Sequence, residues 1–130
     1  MGDFKDLAVY KKAFKLSMDI FDMTKKFPKD EVYALTSQIR RSSRAVCANL
    51  GEAYRKRRYV SHFLLKISDA DMENTETQIW LNYSVACKYI TEMIYKELTN
   101  ENEQIGKLIN DMLKEPFKYG CSEKETGRAN

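Results

Sequence analysis

A chain of 130 residues, 43% apolar and 32% charged, is long enough to bury one hydrophobic core without metal or disulfide staples. Two prolines, five glycines and the absence of Val/Ile/Thr-rich runs make an all-α fold the first expectation. No apolar run approaches the ~20 residues a membrane-spanning helix needs, and Met1-Gly2-Asp3-Phe4-Lys5-Asp6 lacks the pattern of a signal peptide, so a cytoplasmic chain is expected, with no membrane partner.

Three cysteines at no Cys-x-x-Cys spacing read as reduced thiols, Cys47 and Cys87 packed inside and Cys121 in a tail. The net charge of +3 is unevenly spread. Seven cations and one anion lie between Arg40 and Arg58, so this segment carries +6 and the remainder −3.

A first helix is expected over 6–26, with Asp6 as N-cap and Leu7, Tyr10, Ala13, Phe14, Ser17, Ile20 and Phe21 at helical spacing. Phe27-Pro28 ends it, because the residue before a proline is pushed out of helical geometry. A second helix is expected over 30–56, with Asp30 and Glu31 at its positive end and a buried stripe of Val32, Leu35, Ile39, Ser42, Val46, Leu50 and Ala53. Small residues (Ser42, Ser43, Ala45, Ala48, Gly51) thin it enough for another helix to approach closely.

A third helix is expected over 59–90. Its ends are apolar, but between Ser68 and Gln78 it offers only Ala70 and Met72 for burial. A tight turn near Tyr59 makes helices two and three antiparallel, with residue i opposite 117 − i. Their polar centres then meet. Arg40, Arg41, Arg44, Asn49 and Glu52 on one side and Glu73 and Glu76 on the other are expected to form a structural polar core, with Asp69 a further partner.

A fourth helix is expected over 92–118, where Thr99-Asn100 is a candidate interruption. Four amphipathic helices with short connections make an up-down-up-down four-helix bundle, one domain over 1–119, with 120–130 expected to lack fixed structure.

Motifs of chemistry are absent. There is no Glu-x-x-His pair for a di-metal bundle, and His62 reads as a solvated or capping residue. Nucleophile-elbow, P-loop and dinucleotide fingerprints are missing as well, so neither catalytic residues nor a cofactor or metal site is expected. Glu52, Glu73 and Glu76 are read as neutralising arginines rather than as an acid–base pair.

Arg55, Lys56, Arg57 and Arg58, flanked by Tyr54 and Tyr59, have two readings. They fit a phosphate-contacting patch with stacking groups, and they equally fit a solvated helix end whose cations complement the dipole. Such a patch positions a nucleic acid without reading its bases, and it gains strength if several copies share one assembly.

Phe4-x-x-Leu7, Phe27-Pro28, Glu31-x-x-x-Leu35-Thr36-x-Gln38-Ile39-Arg40-Arg41 and Asn49-Leu50-x-Glu52 resemble the signature of the small four helix bundle proteins encoded in 23S rRNA intervening sequences. The accessory variability proteins of diversity-generating retroelements are similar. The resemblance spans residues 4–119. It departs at Asn49-Leu50-Gly51-Glu52-Ala53, where the family exchanges alanine and glycine, and at Ala70-Asp71 and Asn74-Thr75-Glu76 in helix three. It implies a homopentameric ring of bundles without enzymatic activity. The retroelement relatives engage nucleic acid and a reverse transcriptase through a basic surface. The resulting expectation is a non-enzymatic oligomer binding RNA or DNA non-specifically through the basic segment; the alternative is a protein-interaction scaffold with no nucleic-acid role.

Overall fold

The computed structural model describes residues 2–122 and consists of α1 (Ala8–Thr24), α2 (Leu35–Arg55), α3 (Val60–Ala86) and α4 (Glu92–Lys114), with short 3₁₀ turns at Phe4–Asp6, Lys29–Glu31 and Pro116–Tyr119. Among the described residues there is no strand, and the helices pack as an antiparallel four-helix bundle. Each helix supplies an inward column at three-four spacing. Val9, Ala13, Leu16 and Ile20 of α1 meet Ile39, Val46 and Leu50 of α2, Phe63, Ile67 and Leu81 of α3, and Leu98, Ile105, Ile109 and Met112 of α4. Among the described residues no helix is long and apolar enough to cross a membrane.

The helix ends differ from the expected boundaries for local reasons. Asp6 does not cap α1; its carboxylate accepts the backbone N–H of Asp3 instead, and Leu7 occupies the cap position. Helix α2 begins at Leu35 rather than at residue 30, because Glu31 sits in a separate turn and caps α2 from a distance: its Oε1 accepts the Leu35 N–H (3.1 Å) and its Oε2 the Tyr89 hydroxyl (2.8 Å). Val32, expected in the buried stripe, is therefore exposed.

Helix α3 stops at Ala86. Lys88 takes a left-handed conformation (φ 64°), the Tyr89 N–H reaches the Ser84 carbonyl and the Lys88 N–H the Val85 carbonyl, which closes the helix in a Schellman motif. A lysine there accepts the strain glycine would avoid. Thr91 caps α4 by accepting the Ile94 N–H. Thr99-Asn100 does not interrupt α4, although the Thr99 hydroxyl is buried without a hydrogen-bond partner.

The expected meeting of polar centres occurs, with a different cast. Arg41 hydrogen-bonds Glu73 (3.2 Å) and Glu76, as the antiparallel register requires, but its side chain is half exposed, at the rim rather than in the core. Arg40 and Arg44 turn the other way, onto the Phe21 ring of α1 (4.7 and 5.6 Å). Arg40 also donates to the Thr24 hydroxyl. Asn49 bonds the Ala45 carbonyl within its own helix, and Glu52 pairs with Lys66 rather than with an arginine.

The buried polar contacts are uncharged. Ser42 and Thr77 share a 2.8 Å hydroxyl hydrogen bond between α2 and α3, and Asn74 and Asn102 exchange amide hydrogen bonds between α3 and α4. Neutral groups fit a dry seam better than arginines because a buried charge needs far more compensation.

The cysteines also differ from expectation. Cys87 is exposed, Cys121 is buried against the core, and Cys47 is half-buried, with burial pushing its thiol up to about 11. Residues 123–130 of the expected tail lie outside the described residues.

Asn102→Ala should leave the buried Asn74 Oδ1 without its donor and destabilise the protein by about 1–3 kcal/mol, read as a lowered midpoint of urea unfolding.

Candidate nucleic-acid interface

The cationic segment spans the last turn of α2 and the α2–α3 connection. Arg55 ends α2, the Lys56 N–H bonds the Ala53 carbonyl, and the Tyr59 N–H returns to the Lys56 carbonyl, so the corner is tight. Its six expected binding residues divide into two groups.

Tyr54 and Arg57 are structural. The Tyr54 ring is buried and its hydroxyl donates to the Gly2 carbonyl, so it has no free face for a base. Arg57 stacks on that ring (3.5 Å) and donates to the carbonyls of Tyr54 (2.8 Å) and Tyr119 (3.4 Å), while its own carbonyl accepts the Ser122 N–H. The guanidinium thus ties the end of α2 to the C-terminal segment. Gly120 makes room for it: its φ of 94° suits glycine, and a Cβ there would lie 2.6 Å from Nη1 of Arg57.

Arg55, Lys56, Arg58 and Tyr59 form the accessible group. All four are exposed, and among the described residues no carboxylate pairs with the three cations. Arg58 lies over Tyr59, whose ring also meets His62. Arg55, Arg57 and Arg58 with Tyr54, Gly2, Asp3 and Gly120 line a concavity of about 500 Å³; Asp3, its one carboxylate, pairs with Lys5.

Two more concavities lie along the same helix. One of about 410 Å³ is bounded by Phe4, Tyr10, Cys47, Ala48, Gly51, Glu52 and Arg55, and one of about 480 Å³ by Val32, Thr36, Ser37, Arg40, Arg41, Arg44, Ala45 and Ala48. Sequence reasoning missed this arrangement. It assigned Tyr10 and Phe14 to the core, yet Phe14 is half exposed and Tyr10 sits between Phe14 and Phe4, with ring centroids 6.2 and 5.1 Å away. The clue lay in Phe4, Tyr10 and Phe14 recurring beside the small residues of α2, a pattern that core packing also produces.

At the far end of the C-terminal segment, Asp111 accepts from Lys118 and from the Tyr119 hydroxyl. Lys118 foremost holds the Asp111 carboxyl below its usual range, and burial pushes Tyr119 up to about 12. Neither group titrates near neutrality, so this anchor stays formed. Among the described residues no group of acidic, histidine or cysteine side chains is placed to hold a metal.

The site is therefore a surface one, on a four-helix bundle whose interior is filled. Sequence and fold agree on its lineage: the chain belongs to the 23S rRNA-intervening sequence protein family, whose profile matches residues 5–111. It is similar to the crystal structure of a protein of unknown function from the S23 ribosomal protein family of Bacteroides thetaiotaomicron VPI-5482, at 27% identity and a TM-score of 0.75, with 82% of this chain and 99% of that one covered. No protein of curated function matches the chain.

Arg57→Ala should free the segment that covers Cys121. Alkylation of Cys121 at pH 8, followed by peptide mapping, should be slow in the wild type and many-fold faster in the variant, with Cys87 labelled rapidly in both.

Proposed function

We propose that this protein is a non-enzymatic, self-associating helical bundle that holds nucleic acid without sequence preference at its cationic corner. The observation that carries the reading is the set Arg55, Lys56 and Arg58: three exposed cations on one tight turn, without a carboxylate partner among the described residues, beside the exposed ring of Tyr59. Arg57 reaches back to the carbonyls at the helix end; the other three leave their charge in solvent, open to a phosphate. The family's description as 23S rRNA-intervening sequence proteins makes RNA the natural first ligand to test.

Binding of a mixed RNA at low salt should weaken steeply as salt rises. Replacing Arg55, Lys56 and Arg58 together by Ala should flatten the log–log slope by about 2, at roughly 0.7–0.9 for each phosphate no longer neutralised. Arg57 is left intact in that variant because its removal would disturb the fold. A wild type that binds no RNA even at low salt would rule the reading out.

Self-association and the protein-scaffold reading share a different support. Leu65, Met72 and Ile79 lie seven residues apart on α3, two positions on from the inward Phe63, Ala70 and Thr77, and so on the face opposite the core; all three are exposed (63%, 69% and 45%). An apolar stripe of this kind fits another protein surface, whether a further copy in a ring or a separate partner such as a polymerase. Sedimentation should show an oligomer, five copies being the specific expectation, and Met72→Glu should shift it toward monomer; a wild type that stays monomeric at micromolar concentration would overturn self-association.

A further inference from the structure

We infer that the ligand of this surface is a single strand, laid in one groove that runs the length of α2 rather than held at the corner alone. The inference rests on the nucleic-acid reading above and extends it to residues that reading does not use.

The three concavities on α2 adjoin one another. Ala48 lines both that of about 480 Å³ and that of about 410 Å³, and Arg55 lines both the latter and the corner concavity of about 500 Å³, so they follow one another from Arg40 to Arg58. Cations gather at the two ends. Arg40 and Arg44, both over the Phe21 ring, stand at one end without carboxylate partners among the described residues, while Lys25 on the same ring is paired with Asp22; Arg55 and Arg58 stand at the other. Arg44 and Arg55 are eleven positions apart, on the order of 16 Å along the helix. Two cationic groups at such a separation fit phosphates a few nucleotides apart on one extended chain.

The middle of the groove is built differently. Its floor is Ala45 and Ala48, and the rings of Phe4 and Tyr10 border it beside Gly51, with Phe14 stacked on Tyr10 beyond. Stacking surfaces serve unpaired bases, whose faces are open, and are of no use to a duplex, whose bases are already stacked. The Phe4 ring lies directly over Gly51, where a Cβ would come within 3.3 Å of it, so the recess opens over Ala48, between that ring and the arginines. The bordering carboxylates are all engaged, Glu52 by Lys66, Asp3 by Lys5, and Glu73 and Glu76 by Arg41, which leaves the groove positive.

The test compares fluorescent oligouridylates and oligothymidylates of graded length with an RNA duplex, by anisotropy at low salt. The variants are Arg44→Ala, which removes the distant cation, and Ala48→Leu, which fills the floor without adding a stacking ring. Both positions are exposed, and unchanged urea midpoints would verify folding. Affinity for single strands should rise with length until both arginine groups are spanned, then level off. Ala48→Leu should lower single-strand affinity about tenfold and leave duplex binding unchanged, Arg44→Ala should lower single-strand affinity more than duplex affinity, and the corner variant should lower both. Comparable weakening with the uridylate and thymidylate series marks recognition of the strand without its 2′-hydroxyls; weakening with one alone assigns the groove to RNA or to DNA, and either result supports it. If duplex and single strand bind equally and neither groove variant matters, the groove inference fails while the corner reading stands. No binding of any nucleic acid removes the corner reading itself. A groove variant that alters sedimentation of the free protein but not RNA affinity would overturn the inference by making this face a contact between copies.

Discussion

The structure turns on the seam between α2 and α3. Ser42 and Thr77 meet there in a hydroxyl hydrogen bond; one hydroxyl donates across the seam and the other, which accepts, can turn its own proton to a carbonyl of its helix. Side chains this small let the helices approach closely, and their polarity makes the approach specific: a slide along the seam would break the hydroxyl pair and set each hydroxyl against an apolar neighbour. Everything at the surface inherits this register. It sets Arg41 beside Glu73 and Glu76, and Glu52 beside Lys66, which engages these carboxylates without drawing on the other arginines of α2.

Both faces of the bundle's middle pair are thereby specialised. With one side of α2 committed to α3, its other side carries arginines and small residues under the aromatic edge of α1. The outward face of α3 carries exposed Leu65, Met72 and Ile79 among polar Ser68, Asp69 and Thr75.

The fold was legible in the sequence because three-four periodicity and the breaks at Phe27-Pro28 and around Tyr59 are strong local signals. The antiparallel register was legible too, since counting back from a tight turn places Arg41 against Glu76. What could not be read was depth. An arginine at a helical position has the same spacing whether it is buried, lies at a rim or folds over a ring, and the charged residues drew attention away from Ser42, Thr77, Asn74 and Asn102, which occupy the actual polar core. Boundaries failed where a side chain capped from a distance, as Glu31 does for α2, or where a lysine took a glycine's conformation, as at Lys88. At the candidate site, four consecutive cations looked equivalent. Only packing separates Arg57, fixed between two carbonyls and a ring, from its neighbours.

The clamp made by Arg57 and Tyr54 joins three distant parts of the chain, since Gly2 and Ser122 are both hydrogen-bonded within it. The polypeptide therefore enters and leaves the bundle beside its most positive surface. Anything joined before Gly2 or after Ser122 starts out within reach of the arginines and acts as a tethered ligand at high effective concentration. An acidic extension would shield the corner and a basic one would enlarge it, so the sequence at either end can tune how strongly the bundle attracts a polyanion without a single change in the fold.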